Sequence, residues 1–233
     1  MVAIDGSVVL VTGGQRGIGK ALVEAFLRRG AAKIYATARK PGPAGDPRVE
    51  PVPLDVTDPG SVEALAGRAR DVTVVVNNAG ILLPSALLKA DMADVLATFD
   101  TNVFGALRVA RSFAPVLAAN GGGALVDMHS VLSWGAGAAA YGASKAALWS
   151  VTNSLRIELA PQGTQVVGVH LGFADTEMVA GLPVPKISPA DVAGAVLDGI
   201  EDGRTEVLVD ALTRQMKEAL SGPVEGLSLA FGH

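Results

Sequence analysis

Along this 233-residue chain, short apolar runs alternate with amphipathic helical stretches, and that alternation constrains its fold most. Ser7–Thr12 reads as a buried strand, and Gly17–Arg29 as a helix stopped by Gly30. Ala32–Thr37 and Val49–Pro53 read as further strands, and Asp58-Pro59 opens a helix, proline being tolerated at the first helical position. Val72–Val76 is the uninterrupted apolar run expected of a central parallel strand covered on both faces. Helix is predicted over Asp91–Asn120 with a break near Asp100, then strand over Ala124–Met128, helix over Ala139–Ala160 and strand over Gln165–Leu171. Ser188-Pro189-Ala190-Asp191 has the form of a capping box, and Glu206–Val209 that of a last short strand running into a helix. Strands alternating with helices give βαβ units, hence an α/β, doubly wound parallel sheet of about seven strands with helices on both faces. Such sheets bind ligands at the carboxyl ends of their strands, so the loops there are where function is sought.

Composition narrows the class. No linker, repeat or low-complexity tract divides the chain, so residues 1–233 read as a single domain. A hydrophobic fraction of 49% with 18% charged residues suits a substantial core. The net charge of −4 gives no electrostatic reason to expect nucleic acid or an anionic membrane as partner. With no cysteine, disulfides and thiolate metal sites are excluded. The first residues lack the pattern of a signal peptide and no run reaches membrane-spanning length, so the expected location is cytoplasmic.

Thr12-Gly13-Gly14-Gln15-Arg16-Gly17-Ile18-Gly19-Lys20 lies between the first strand and the first helix. Glycines there permit a tight turn and let backbone N–H groups approach a diphosphate at the helix N-terminus. A ligand-free turn would need no such spacing, so phosphate binding is the favoured reading. Further along, Tyr141 and Lys145 stand four residues apart on a predicted helix and share one face. An ammonium beside a phenol favours the phenolate, which predicts a lowered tyrosine pKa. Many helices carry this pair on a solvated face, and it gains meaning only with a cofactor and a pocket.

The glycine loop, Asn77-Asn78-Ala79-Gly80 after the fourth strand, and Tyr141-x-x-x-Lys145 occur in the order and at the separations of the short-chain dehydrogenase/reductase family. The chain resembles that family from about Val8 to Thr176, which implies a Rossmann-type fold and a nicotinamide cofactor. The second strand ends Thr37-Ala38-Arg39-Lys40, without the acid that holds an NAD ribose ~20 residues beyond the loop. Arg39, with Arg16 from the loop, suits a 2′-phosphate instead, whereas Lys40 reads as an ordinary surface charge. The expected cofactor is therefore NADP(H).

The resemblance assigns cofactor contacts to Gly13, Gln15, Arg16, Gly17, Ile18, Gly19, Ala38, Arg39, Asp55, Val56, Asn78, Ala79, Gly80, Gly172, Ala174 and Thr176. Asp55 has a second reading, as an acid capping the Thr57–Asp58 turn, and Asn78 and Gly80 would brace the central strand as well. Tyr141 and Lys145 contact the cofactor too and, with Ser130 and Asn102, form the catalytic set the resemblance implies. Tyr141 would exchange a proton with the substrate, Ser130 polarise its carbonyl, Lys145 hold the nicotinamide ribose, and Asn102 hold a water joining Lys145 to solvent. Ser130 lies closer to the tyrosine than in family members, which points to a short deletion in Gly135–Ala138 and leaves Ser133 as a rival.

Leu171 stands where the family has proline, loosening φ there. Trp134 and Phe173 line the substrate pocket or pack the core. His129 and His170 adjoin strand ends without a metal-ligand cluster. Met178 and Leu182 fall in a substrate lid at about 177–187, short enough to leave an open cleft. The implied activity is reversible NADPH-dependent reduction of a ketone or aldehyde, with a small-molecule carbonyl or alcohol as partner. The alternatives are an NADP(H)-binding regulatory sensor and a 3-oxoacyl-carrier-protein reductase. The tail beyond Glu206 argues against the last, and a homo-dimer or homo-tetramer is expected from the pairing of long helices.

Overall fold

The computed structural model describes residues 1–83 and 85–229. Seven parallel strands form one sheet in the order β3-β2-β1-β4-β5-β6-β7. They are β1 Val8–Val11, β2 Lys33–Ala38, β3 Val49–Pro53, β4 Val74–Asn77, β5 Ala124–Met128, β6 Gln165–His170 and β7 Glu206–Leu208. The helices are α1 Gly17–Arg28, α2 Pro59–Arg68, α3 Met92–Phe99, α4 Ala106–Ala119, α5 Ala139–Leu159, α6 Pro189–Glu201 and α7 Ala211–Ala219. Strand order reverses between β1 and β4, so the loops after these two strands diverge to opposite sides and leave a crevice between them.

The sheet is covered on both faces, which is why its central strands read as unbroken apolar runs. One core joins alternate residues of β1, β4, β5 and β6 to the buried stripes of α1 and α6, among them Leu22, Phe26, Val196 and Ile200. The other joins the opposite residues of the same strands to α2, α4 and α5 through Leu65, Phe113, Leu117 and Leu155. Each such side chain contributes about 1.5–3 kcal/mol on full burial, so both faces hold the strand ends in register.

Two predicted features take a different form. The break near Asp100 is a π-helical turn, Asp100–Gly105, joining α3 to α4 without a loop. Ser188 caps α6 by accepting from the Asp191 N–H at 3.0 Å, but the reciprocal half of a capping box is missing. The Asp191 carboxylate instead accepts from the Ser188 hydroxyl at 2.7 Å.

Candidate active site

The loop after β1 is shaped by close backbone approach. Gly13 and Gly17 have φ of 65° and 51°, in the left-handed region open to glycine. A Cβ on Gly19 would run into the Gly13 carbonyl and lie 2.6 Å from Asn78 Nδ2. Asn78 braces this turn from β4: its Nδ2 donates to the carbonyls of Thr12 (2.9 Å) and Gly13 (3.2 Å). The Thr12 hydroxyl in turn accepts from the N–H groups of Asn78 and Ala79. Gln15 reaches across to the loop after β2, exchanging two hydrogen bonds with Gly42. The helix N-terminus, the glycine turn and the end of β2 are therefore tied together by hydrogen bonds into a cradle that fits a dinucleotide diphosphate.

At the end of β2, Ala38 is half-buried and Arg39 is exposed. Arg39 lies near enough to Asp55 to help hold that carboxyl below its usual range, after the larger effect of Thr57. Asp55 accepts from the Thr57 N–H (2.9 Å) and hydroxyl (2.7 Å), so it organises the turn before α2, while Asp58 caps the helix itself. Arg16 is paired with Glu177 at 3.3 Å, with side chains 77% and 87% exposed. Such a pair is worth about 0–1 kcal/mol, so it leaves the guanidinium available to a phosphate. Val56 is buried against Gly105 of the π turn, and Ile18 packs on the α1 side of the core.

The second half of the site collects at the ends of β4, β5 and β6. Asn102, buried in the π turn, accepts from the Ile81 N–H (2.8 Å) and donates to the Ile81 carbonyl (2.9 Å) and the Ser144 hydroxyl (3.0 Å). Its side chain thus fastens the segment after Gly80 to α5. A Cβ on Gly80 would lie 3.2 Å from Asn102 Oδ1 and 3.9 Å from Lys145 Nζ, so the backbone here runs close to both side chains. Lys145 is buried and donates to the Met128 carbonyl at 2.7 Å.

Ser130 follows β5 and opens a short turn over Val131–Ser133. The Ser133 hydroxyl folds back to accept from the Ser130 N–H at 3.4 Å, whereas the Ser130 hydroxyl accepts from Leu132 N–H and stands close enough to the Tyr141 phenol to lower its pKa. Of the two rival serines, Ser130 is the one that acts on the tyrosine.

The lowered tyrosine pKa expected from Lys145 is not what the structure gives. Burial pushes Tyr141 up to about 12, and Ser130 only partly offsets this. The ammonium sits 5.6 Å from the phenol ring centre and is engaged with Met128. Burial also brings Lys145 down to about 8, with Asp127 pulling the other way. For each group desolvation is the largest effect, and neither acts measurably on the other.

The loop preceding α5 is strained. Ala138 and Ala139 both adopt left-handed φ, 47° and 48°, at about 1–2 kcal/mol each for a residue with a Cβ. It is held from outside by the C-terminal segment: Ala136 N–H donates to the Leu227 carbonyl (2.7 Å), and Leu229 N–H to the Ala136 carbonyl (3.3 Å). Trp134 is buried, stacked on His170 at 3.9 Å and edge-on to Trp149, so its place is in packing.

After β6, buried Leu171 accepts from Val131 N–H, and Gly172 N–H donates to Asp210 at 2.6 Å. The segment after Ala174 returns on itself, since Asp175 N–H bonds Ile187 and Ile187 N–H bonds Phe173. Thr176 lies against Gly17, joining this segment to the glycine turn, and Met178 and Leu182 remain exposed on it.

Sequence reasoning passed over Asp127, fully buried and bonded by Asn77 (2.8 Å) and Thr152 (2.7 Å). A lone acid inside the apolar run Ala124–Met128 was the signal available, because buried carboxylates are costly unless partnered. Among the described residues, no group of three or more potential ligands could hold a metal ion, and no helix is long and apolar enough to cross a membrane.

Residues 7–184 match the sequence pattern of the short chain dehydrogenases. A short chain dehydrogenase from Burkholderia cenocepacia J2315, solved in complex with NADP, aligns with a TM-score of 0.90 and 40% identity over 96% of each chain. A short-chain dehydrogenase from Sphingobium yanoikuyae, in complex with NADPH, gives 0.80 and 26% over 95% of this chain and 94% of that one. The 1-deoxy-11-beta-hydroxypentalenate dehydrogenase of Streptomyces exfoliatus is 36% identical over 219 residues, 84% of this chain and 80% of its own.

Proposed function

The chain belongs to the short chain dehydrogenase family, and we propose that it is an NADP(H)-dependent oxidoreductase interconverting a ketone or aldehyde with the corresponding alcohol. The observation that carries this reading is the meeting of Ser130, Tyr141 and Lys145 at the end of β5 and the start of α5, with Lys145 held on the Met128 carbonyl and Ser130 acting on the phenol. The cradle residues Gly13–Gly19, braced by Asn78, would hold the cofactor diphosphate, and Arg39 with Arg16 its 2′-phosphate. Asp55, Val56, Ala79 and Gly80 would line the adenosine side, and Gly172, Ala174 and Thr176 the nicotinamide side. When bound, NADPH supplies the hydride that reaches the carbonyl carbon.

The chain's own residues handle the oxygen. Ser130 orients the substrate carbonyl and donates a hydrogen bond to it as negative charge builds. Tyr141, whose phenol is raised to about 12 and so is protonated at neutral pH, is in the state a proton donor needs and passes its proton to the developing alkoxide. Lys145, titrating near neutrality, then restores the proton balance from behind the phenol. Asn102 fixes the Gly80–Ile81 segment against α5, so that Lys145 faces backbone rather than a side chain. The segment 177–187 covers the substrate and leaves an open cleft. Subunit pairing through the long helices belongs to the same proposal, supported by the exposed apolar side chains of Leu96, Phe104 and Ile157.

The test is Tyr141→Phe, assayed by NADPH absorbance against aromatic ketones, aldehydes, quinones and acyl thioesters. Turnover should fall by about 10²–10⁴-fold, the usual worth of a general acid, with NADPH binding retained. Undiminished turnover would refute the mechanism. Tight NADPH binding without oxidation by any carbonyl in the wild type would favour a sensor.

A further inference from the structure

Behind Ser130 and Lys145 runs a line of polar groups that the catalytic set does not include. Asp127 Oδ2 lies 2.7 Å from Thr152 Oγ1, which lies 2.9 Å from His129 Nε2. His129 Nδ1 lies 3.1 Å from His170 Nε2, and His170 Nδ1 lies 3.3 Å from the Ser130 carbonyl. All four side chains are buried, with Asp127, Thr152 and His170 at zero exposure and His129 at 2%.

The line has a fixed direction because one end can only accept. A carbonyl carries no hydrogen, so the 3.3 Å contact requires His170 to hold its proton on Nδ1. A neutral imidazole has a single N–H, which makes His170 Nε2 an acceptor and puts the His129 proton on Nδ1. His129 Nε2 must then accept, and the Thr152 hydroxyl is the donor within reach. That hydroxyl also lies 2.8 Å from the Leu148 carbonyl, which already accepts a helical N–H of α5. With the Thr152 proton committed to His129, the 2.7 Å contact to Asp127 needs a proton from the acid itself. Asp127 Oδ1 meanwhile accepts from Asn77 Nδ2 at 2.8 Å, as the carbonyl oxygen of a protonated carboxyl should. Running the line the other way would ionise Asp127 and set the His170 Nδ1 lone pair against the Ser130 oxygen.

We propose that His170, His129 and Thr152 are positioning residues which, anchored on the Ser130 carbonyl, hold Asp127 as the neutral acid and thereby set the charge state of Lys145. A carboxylate at Asp127 would stabilise the Lys145 ammonium, and a neutral acid withdraws that support. The charged groups around the line keep the histidines neutral, while Lys145 and Arg156 also favour an ionised Asp127, against which its burial acts. Lys145 and Arg156 of α5, together with Lys217 of α7, all disfavour an imidazolium. Glu206 of β7, 3.8 Å from His170 Nε2, is committed to Lys217 at 2.9 Å. Burial raises Asp127 and lowers both histidines, the directions that this proton count requires.

The inference deepens the role given to Lys145 above, but its test reads protonation on the resting protein, so its failure is separable from absent turnover. In ¹⁵N-histidine-labelled protein at neutral pH, long-range ¹H–¹⁵N correlations should show His129 and His170 both neutral and both protonated on Nδ1. An Nε2–H tautomer or an imidazolium at either residue overturns the proposal. The second measurement follows the ¹³Cε resonance of Lys145, assigned by its loss in Lys145→Met, through a pH titration. His170→Phe keeps a ring against Trp134 and removes the anchor, so the Lys145 midpoint should rise by about one pH unit, a tenfold change in its proton affinity. His170→Asn, whose amide can donate to Ser130 and accept from His129, should restore the wild-type midpoint. An unmoved midpoint in His170→Phe overturns the coupling to Lys145.

Discussion

Replacing Lys145 with methionine should stabilise the protein at neutral pH while abolishing its chemistry. The lysine drops from its ordinary 10.5 to about 8 on folding even with the support of an ionised Asp127, chiefly because burial penalises the ammonium. Between those values the unfolded chain keeps a proton that the native one has released, so stability rises with pH across that window. At pH 7 the full penalty is in force, about 3 kcal/mol at 1.36 kcal/mol per pH unit. Methionine fills similar space without charge, but it leaves the Met128 carbonyl without its 2.7 Å donor, which returns about 1 kcal/mol. The net expectation is a gain of about 2 kcal/mol at pH 7. Urea unfolding followed by tryptophan fluorescence, repeated from pH 7 to pH 10, measures it. The wild type should close the gap as pH rises toward 10. Tyr141, raised to about 12, acts with the opposite sign: its native phenol holds a proton that the unfolded chain loses above about 10, so stability falls there. The comparison therefore stops at pH 10. A variant less stable at pH 7, or a gap that ignores pH, would refute the reasoning.

Two further substitutions test the backbone around the site. Gly19→Ala should lose about 1–3 kcal/mol to overpacking against the Gly13 carbonyl and Asn78, outweighing the roughly 1 kcal/mol that alanine gains in a helix. It should also abolish NADPH binding, as read by calorimetry and thermal unfolding. Ala138→Gly removes a left-handed alanine and should raise stability by about 0.5–1 kcal/mol after the extra entropy of the unfolded glycine; a lowered melting temperature would contradict this.

The sheet and the glycine turn were legible because their signals are local: an unbroken valine run marks a strand covered twice, and glycines at a strand–helix junction mark close backbone approach. The expectation that Ser130 rather than Ser133 faces Tyr141 comes from its place directly after an apolar strand, and the structure sets Ser130 near the phenol. The tyrosine pKa was not, because the pair predicts only an attraction, whereas the result depends on how much water each group loses. The histidine line escaped notice for a different reason. His129 and His170 are 41 residues apart, and only the parallel register that sets Met128 beside Val169 makes them neighbours. The left-handed alanines lie beside a loop gripped by a segment some ninety residues downstream, a contact that no local signal in the sequence announces.

That grip has a practical consequence. The backbone of Leu227 and Leu229 works as a splint on the loop that delivers Tyr141, and the Leu229 side chain presses on Gly135. A fusion partner or affinity tag joined directly after Leu229 would therefore load the splint, and a chain cut before Leu227 would remove it. The same link is an opportunity for engineering: libraries built on Val224–Leu229 would reshape the mouth of the cleft from a distance, leaving every residue of the catalytic set in place.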